Sequence, residues 1–333
     1  MARKSSFRFE PEKIARNAKL GRNSRYQCVR GMSMDAHNST LATTPKFWLG
    51  DETAFDGAQL INSNRPIVVF DSGVGGLTVA RQLEKLLPDA NILYVADNDW
   101  FPYGNKTGSA VAQRVQQLFD ELHTQVSPSA IVVACNTASI AIIENGLDQF
   151  RHNCFLVTPP IDEALETSEN KNIVLLATPS TLESRHIIQE ITKAKMHARI
   201  WPIATQALVT LSETKLAGED TNFDDFAELI DNHLTKEQRL SVDTVILGCT
   251  HFPHLIDDLR KIFPTAENWI DPAKKLASQV ASLTTKKSEP INSPFKITTF
   301  TSKHGLTKYH KVFSNNGFGI RPPINRDTIL QQN

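Results

Sequence analysis

The sequence predicts an α/β fold in which a parallel sheet is covered by helices on both faces. Three continuously apolar runs in the first half indicate strands buried on both faces: PIVVF (66–70), NILYVAD (91–97) and AIVVA (130–134). Each run leads into a polar or glycine-rich turn and then into a segment with helical spacing. This alternation is typical of βα units.

The predicted helices of the first half have recognisable ends. LTVARQLEKLLP (77–88) follows the glycine turn GVGG and stops at Pro88, because proline cannot continue a helix. AVAQRVQQLFDELHTQ (110–125) is amphipathic and predicts a second helix. The intervening NDWFPYGNKT (98–107) has the composition of a loop.

The second half repeats the pattern. NIVLLATPST (172–181) and DTVILGCTHFP (243–253) predict strands with polar exits, and residues 182–192 predict a helix. In the tail we expect a strand at 294–302 and a helix at 306–316. Because ligands bind outside the carboxyl ends of strands in open α/β sheets, two such half-sites facing each other would enclose one pocket.

Composition limits the classes of partner. The 333 residues are 40% hydrophobic and 22% charged, as expected of a soluble globular protein with a core. The 36 basic and 36 acidic residues balance, so no global field favours nucleic acid or an anionic membrane. No run of about 18 apolar residues predicts a membrane span. Residues 1–64 are polar and weakly periodic, which predicts a flexible extension, or in part a start codon assigned too early.

The four cysteines, Cys28, Cys135, Cys154 and Cys249, are far apart and form no CxxC pair. Neither a zinc site nor a disulfide framework is therefore indicated. Reduced thiols in a cytoplasmic protein are the simplest interpretation.

Two of these cysteines occupy equivalent positions in the two halves. Cys135 in VVACNTAS and Cys249 in VILGCTHFP each end a predicted strand, and small polar residues follow. A single cysteine in an apolar run is usually an inert core residue. Its recurrence at the equivalent place makes coincidence the weaker explanation, whereas Cys28 and Cys154 lack this setting.

Two thiols flanking one carbon could remove a proton from one face and return a proton to the other. The product would be the mirror image of the substrate, and no cofactor would be required. His251 could orient or protonate the Cys249 side, or could instead cap a helix or lie exposed on a loop. Asp71 has a similar choice between capping the helix after the glycine turn and contacting a substrate ammonium group or Cys135.

The glycine turn is a weak phosphate signal. GVGG contains neither GxGxxG nor GxxxxGK[ST], and the preceding Asp71 would repel a phosphate. We expect Gly73, Gly75 and Gly76 to permit a sharp turn whose backbone N–H groups hold a substrate carboxylate.

Four motifs in order, VFDSGVGGLTV, PYGNKT, VVACNTAS and VILGCTHFPHL, resemble those of the glutamate racemases of the aspartate/glutamate racemase superfamily. The resemblance covers about residues 66–283. It implies a cofactor-independent isomerase that interconverts L- and D-glutamate for peptidoglycan synthesis. It also implies two pseudo-symmetric, Rossmann-like α/β domains with mainly parallel sheets and the active site in the cleft between them. Residues 65–158 with 273–333 would form the first domain, and 159–272 the second.

Carried over motif by motif, the resemblance assigns the catalytic thiols to Cys135, acting on the D-enantiomer, and Cys249, acting on the L-enantiomer. The other residues that it places in contact with substrate are Asp71, Ser72, Tyr103, Gly104, Asn136, Thr137, Thr250 and His251. Relatives are often homodimers, and a cell-wall precursor nucleotide activates a subset with N-terminal extensions. Both properties are expectations for this chain.

Three residues depart from the pattern of the relatives. Aligned on ETKLAGED, Thr210 falls where many relatives carry a glutamate that assists the Cys249 side. Thr158 and Pro160 differ from commoner residues near the domain junction. The alternatives are an aspartate or hydantoin racemase, or an isomerase using the same two thiols; a nucleotide-binding or thiol-redox module; and a non-catalytic binding protein that has kept the fold.

Overall fold

The computed structural model describes residues 65–126, 128–145, 154–282 and 294–320. The predicted extension of residues 1–64 lies outside the described residues, as does the end of the tail. Each strand pairing in the described parts of the chain is parallel, and helices alternate with the strands. The predicted fold class, α/β with parallel sheets, is confirmed.

The first sheet has six strands in the order β10-β9-β2-β1-β3-β4. Its strands are β1 (Ile67–Asp71), β2 (Ile92–Ala96), β3 (Ala130–Val133), β4 (Cys154–Leu156), β9 (Lys296–Phe300) and β10 (Gly319–Ile320). The helices that connect and follow them are α1 (Leu77–Leu86), α2 (Gly108–Val126), α3 (Asn136–Asn145), α11 (Ala273–Ser282) and α12 (Lys303–Asn315). The tail therefore returns to the first sheet, where β9 pairs with β2.

The second sheet has four strands in the order β6-β5-β7-β8. They are β5 (Asn172–Ala177), β6 (Arg199–Ala204), β7 (Thr244–Leu247) and β8 (Asn268–Ile270). The accompanying helices are α4 (Ile161–Thr167), α5 (Pro179–Leu182), α6 (Arg185–Ala194), α7 (Ala207–Leu216), α8 (Asp224–His233), α9 (Lys236–Ser241) and α10 (Ile256–Ile262).

The first sheet is buried on both faces, as its continuous apolar strands predict. Alternate residues of β1 enter different clusters: Val69 packs with side chains from α1 and α11, whereas Val68 and Phe70 pack with side chains from α2 and α3. This two-sided burial leaves the carboxyl ends of the strands as the place where polar groups can gather.

The predicted helix at 182–192 is wrong in its bounds, because the structure has two helices there. Pro179 occupies the first turn of α5, and Ser184 interrupts the helical path after Leu182. The Ser184 hydroxyl accepts a hydrogen bond from the Ile187 N–H at 3.2 Å and so caps α6. A serine cap satisfies a backbone donor that has no partner inside the helix, which favours a new start at this point.

The strand pairing supports the domain boundaries that we propose, 65–158 with 273–333 and 159–272. Strands of the first sheet come from both ends of the described chain, and those of the second sheet come from one uninterrupted segment. In the described parts of the chain, no helix is both long and apolar enough to cross a membrane.

Candidate active site

The two sheets meet at the carboxyl ends of their strands, where most of the residues singled out from the sequence lie. Cys135 follows β3, which ends at Val133, and Cys249 follows β7, which ends at Leu247. The prediction that each cysteine is the last strand residue is therefore wrong by two residues. Both cysteines are buried, with 6% and 7% of their surface exposed.

Asp71 ends β1 and is fully buried. Its Oδ1 accepts a hydrogen bond from the Gly73 N–H at 2.7 Å, and its Oδ2 accepts one from the Thr250 hydroxyl at 2.9 Å. Because Thr250 follows a strand of the second sheet, this second bond joins the two halves. Burial raises the pKa of Asp71, and the opposing charge of His251 offsets the rise only in part.

Cys135 lies beside the glycine turn of the first sheet. Its Sγ is 3.8 Å from the Ser72 Oγ. Burial raises the pKa of Cys135, and the charges of Asp71 and Cys249 raise it further. Cys135 is therefore a neutral thiol at neutral pH.

Asn136 and Thr137 begin α3 directly after Cys135. Asn136 is buried, and within the described residues neither Nδ2 nor Oδ1 of its amide has a hydrogen-bond partner. Buried polar groups are nearly always paired, so this amide is suited to a ligand. The Thr137 Oγ1 lies 3.0 Å from the Thr178 Oγ1 and 3.5 Å from the Thr181 Oγ1, both on the second half.

The Cys249 side carries a chain of three ionisable groups. The Cys249 Sγ is 3.8 Å from the His251 Nδ1, and the His251 Nε2 is 2.8 Å from the Glu213 Oε1. The Val74 N–H, from the first half, donates to the same Glu213 oxygen at 3.2 Å. Glu213 is 2% exposed, so its charge is screened little by water.

The pKa shifts of this pair are opposite in sign. Burial by itself lowers the pKa of His251, but its hydrogen bonds with Cys249 and Glu213 outweigh burial and raise it well above the ordinary value. Burial by itself raises the pKa of Glu213, but the hydrogen bond and charge of His251 outweigh burial and lower it. The pair is therefore an imidazolium and a carboxylate, with the positive charge beside the Cys249 sulfur.

The helix that carries Thr210 supplies a carboxylate to the Cys249 side from another position. Thr210 is exposed on α7, whereas Glu213, one turn later on the same helix, is buried against His251. The carboxylate expected to assist the Cys249 side is present.

Tyr103 and Gly104 occupy a short 3₁₀ turn after β2. The Tyr103 hydroxyl donates to the Asp97 Oδ2 at 2.6 Å, and Arg114 binds the same carboxylate through two N–H groups. The hydroxyl is thus committed to Asp97, which leaves the ring and backbone of Tyr103 for the predicted substrate contact. A Cβ on Gly104 would lie 2.9 Å from the Thr178 Cβ, so glycine allows the two halves to approach.

The glycine turn approaches the second half closely. Two of its backbone N–H groups are already used by protein carboxylates, that of Gly73 by Asp71 and that of Val74 by Glu213. The expectation that these amides hold a substrate carboxylate does not apply to this pair. A Cβ on Gly75 would lie 2.6 Å from the His251 Nδ1. Position 75 must therefore lack a side chain if His251 is to keep its observed position.

Gly75→Ala is therefore expected to displace His251 and to lower kcat/KM at least about tenfold, with a loss of stability of about 1–3 kcal/mol from overpacking. Gly108→Ala is the matched control, because a Cβ there meets its nearest atom, the Asn145 Nδ2, only at 3.9 Å. Steady-state kinetics and urea unfolding check both variants. Wild-type kinetics in Gly75→Ala would contradict the proposed tight contact with His251.

The buried side chain of His254 is expected to make the free energy of unfolding depend on pH. Burial, with the charge of His251 next, lowers the pKa of His254 from 6.5 to about 4. The unfolded chain therefore binds a proton between pH 6.5 and pH 4 that the folded chain does not bind, and stability is lost as pH falls through this window. At about 1.4 kcal/mol per pKa unit, the loss approaches about 3 kcal/mol. Urea unfolding of wild type and His254→Gln at pH 7 and pH 4.5 should show a smaller loss in the variant, and equal losses would contradict the prediction.

Sequence reasoning missed two site residues, Glu213 and Gln206. Glu213 lies on the buried face of α7 with Leu208, Val209 and Ser212. A glutamate among apolar residues at helical spacing is the signal that could have identified it. Gln206 lies at the start of the same helix with both amide atoms buried.

Within the described residues, no group of three or more His, Cys, Asp or Glu side chains could hold a metal ion.

Fold and site together define a class of protein: an α/β protein in which buried thiols, carboxylates and a histidine gather at the carboxyl ends of parallel strands. Residues 77–280 match the model of the Asp/Glu/Hydantoin racemase family. This range is more than half of the chain, and the chain belongs to that family.

The similar proteins within this family are glutamate racemases. The glutamate racemase of Brucella canis is 33% identical over 277 residues, which are 80% of this chain and 97% of the relative. The structure of Escherichia coli glutamate racemase, in complex with L-glutamate and the activator UDP-MurNAc-Ala, is 30% identical with a TM-score of 0.70, and the match covers 78% of this chain and 98% of that one. A glutamate racemase isoform from Bacillus anthracis is 25% identical with a TM-score of 0.64, covering 79% and 98%.

Proposed function

We propose that the chain is a glutamate racemase that interconverts L- and D-glutamate by two-base proton transfer at the α-carbon, with Cys135 and Cys249 as the bases. One observation carries this proposal: two buried thiols follow strands of two different sheets, and the Asp71–Thr250 hydrogen bond joins the segments that lie beside them. The similarity to glutamate racemases supports the choice of substrate.

In the proposed step, the thiolate of one cysteine takes the α-proton, which breaks the C–H bond and leaves its electron pair on the α-carbon. The thiol of the other cysteine then donates its proton to the opposite face. The product is the enantiomer, and the two sulfurs have exchanged protonation states. No electrons are transferred to another molecule, so the reaction uses only the chain's own groups.

The surroundings of the two thiols suit these roles. Cys135 is a neutral thiol and is ready to donate a proton. Beside Cys249, the imidazolium of His251 provides the positive charge that a thiolate needs in a buried site, and Glu213 holds that imidazolium in place. D-Glutamate would therefore form from L-glutamate when Cys249 takes the proton.

The proposed substrate contacts come from groups around the thiols. Asn136 offers an unpaired amide, and Ser72 lies next to Cys135. Asp71 and Thr250, which are hydrogen-bonded to each other, would have to rearrange or share that bond to contact substrate directly. Thr137, Tyr103, Gly104 and His251 complete the proposed set.

The wider role follows from the same proposal. D-Glutamate made in the cytoplasm would supply peptidoglycan synthesis. Activation by a cell-wall precursor nucleotide is included, since the E. coli relative has been captured with such an activator. Homodimer formation stays a prediction from the resemblance.

Polarimetry with D-glutamate and, separately, D-aspartate tests the proposed function. We expect the rotation of D-glutamate to decay to zero and that of D-aspartate to persist. Persistent rotation of D-glutamate would contradict the proposal, and decay with D-aspartate alone would identify an aspartate racemase.

A further inference from the structure

Gln206 links β6 to α7 and is the residue at which the helix begins. Its side chain does not cap the helix. Its backbone carbonyl accepts hydrogen bonds from the Val209 and Thr210 N–H groups at 3.1 and 3.3 Å. The backbone of Gln206 therefore makes the hydrogen bonds that begin the helix, and the side-chain amide is not needed for them.

The Gln206 amide is buried and unpaired. Neither Nε2 nor Oε1 is exposed, and neither finds a hydrogen-bond partner in the part of the chain that the structure describes. Burying an amide donor and an amide acceptor without partners is unfavourable, so the two unmatched atoms of this side chain are suited to binding a ligand. Asn136, beside Cys135, has the same property.

The Gln206 side chain, from the second half, contacts Gly104 of the first half. A Cβ on Gly104 of the first half would collide with the Gln206 Oε1 and would lie 2.9 Å from the Thr178 Cβ. The Thr178 hydroxyl in turn lies 3.0 Å from the Thr137 hydroxyl. The Gln206 amide thus rests against the backbone of Gly104, beside a group of neutral hydroxyls.

The strand order places this group to one side of the thiols. In the second sheet, β6, which precedes Gln206, is separated by β5 from β7, which precedes Cys249. In the first sheet, β2, which precedes Gly104, is separated by β1 from β3, which precedes Cys135. Two strand spacings are about 10 Å. Gln206 and Gly104 therefore meet about the length of a small ligand away from the strands that carry the thiols.

Under the proposed function, the group that reaches Gln206 is the side-chain carboxylate of the substrate. A substrate whose α-carbon lies between the thiols and whose side chain ends in a carboxylate would carry negative charge toward Gln206. The charged groups that we place at the thiols are Asp71, Glu213 and His251, and the neighbours of Gln206 named above are neutral. A carboxylate there must be bound by neutral donors, and the Gln206 Nε2 is an unused one.

We propose that the Gln206 amide determines specificity by donating a hydrogen bond from Nε2 to the side-chain carboxylate of the substrate. This proposal rests on the proposed function, because it takes an acidic amino acid as the ligand. It assigns Gln206 to ground-state binding and not to proton transfer. Removing the amide should consequently change KM and leave kcat nearly unchanged.

Gln206→Met, which keeps the length of the side chain without its polar atoms, is the principal test. We expect the KM for D-glutamate to rise about ten- to a hundredfold, as for a lost hydrogen bond to a charged group, with kcat within about threefold of wild type. Gln206→Glu should raise KM further, because it places a like charge against the carboxylate. Thr210→Ala, exposed on the same helix, is the control and should keep wild-type values.

Binding measured apart from turnover separates the two proposals. The midpoint of thermal unfolding is followed while D-glutamate is added to wild type and to each folded variant. If wild type binds glutamate without racemising it, the proposed function fails, and the shift in apparent Kd for Gln206→Met still tests Gln206. An unchanged KM or Kd in Gln206→Met, or a loss confined to kcat, would overturn the Gln206 proposal alone. If wild type does not bind glutamate at all, both proposals are overturned.

Discussion

Cys135→Ala and Cys249→Ala are each expected to abolish racemisation, with kcat/KM at least about 10³-fold below wild type. A positioned acid or base contributes about 10²–10⁴ in rate, and the proposed reaction needs one on each face of the α-carbon. With one thiol absent, the proton can be removed from one face but cannot be returned to the other. Polarimetry from each enantiomer measures the loss.

The control for this prediction is Cys154→Ala. Cys154 is a free thiol in β4, outside the set of groups joined to Asp71 and His251, and burial raises its pKa to about 12. It should keep near wild-type turnover. Near wild-type turnover in Cys135→Ala or Cys249→Ala would instead rule out the two-thiol reaction.

Glu213→Gln is expected to lower kcat/KM about ten- to a hundredfold. The substitution keeps the shape of the side chain but removes the negative charge that accompanies the His251 imidazolium, and charge-assisted hydrogen bonds are worth about 1.5–3 kcal/mol. The equilibrium constant between enantiomers is one, so kcat/KM must fall equally in both directions, whichever thiol is affected. Steady-state kinetics from both enantiomers check the size and the symmetry of the loss.

The same variant has a defined effect on stability. The lowered pKa of Glu213 gives stability that is present above its unfolded value of 4.5 and is lost as pH falls through the folded value. The raised pKa of His251 gives stability that is complete below 6.5 and is lost as pH rises through the folded value. The difference in unfolding free energy between wild type and Glu213→Gln should therefore be largest between about pH 4.5 and pH 6.5. Glu219→Gln, at an exposed position, should show no such maximum, and a flat difference for Glu213→Gln would contradict the ion pair.

Much of the fold could be predicted because its central strands are buried on both faces. The apolar runs before Asp71, Val133 and Leu247 indicated parallel strands, and the polar residues after them indicated where a site would lie. The short outer strands, such as β4 and β10, have three and two residues and leave too little pattern to recognise. The break at Ser184 depends on a single side-chain cap.

Site residues could be predicted where a single sequence motif contains them. Contacts between distant segments of the chain could not. Ser72 and Cys135 could each be identified because each lies in a conspicuous motif just after a strand. The contact between Glu213 and His251 joins residues 38 positions apart, one in a helix and one in a loop. No local sequence pattern therefore predicts this contact. The commitment of the Tyr103 hydroxyl to Asp97 likewise depends on tertiary packing.

The position of deuterium after a short reaction in D2O tests the two-base mechanism most directly. L-Glutamate is incubated to low conversion, the enantiomers are separated, and the α-deuterium content of each is measured by mass spectrometry. With separate bases on the two faces, the D-glutamate product should carry deuterium from solvent while the recovered L-glutamate retains its original proton. Equal deuterium in both enantiomers at low conversion would mean that one base serves both faces, which would contradict the assignment of Cys135 and Cys249.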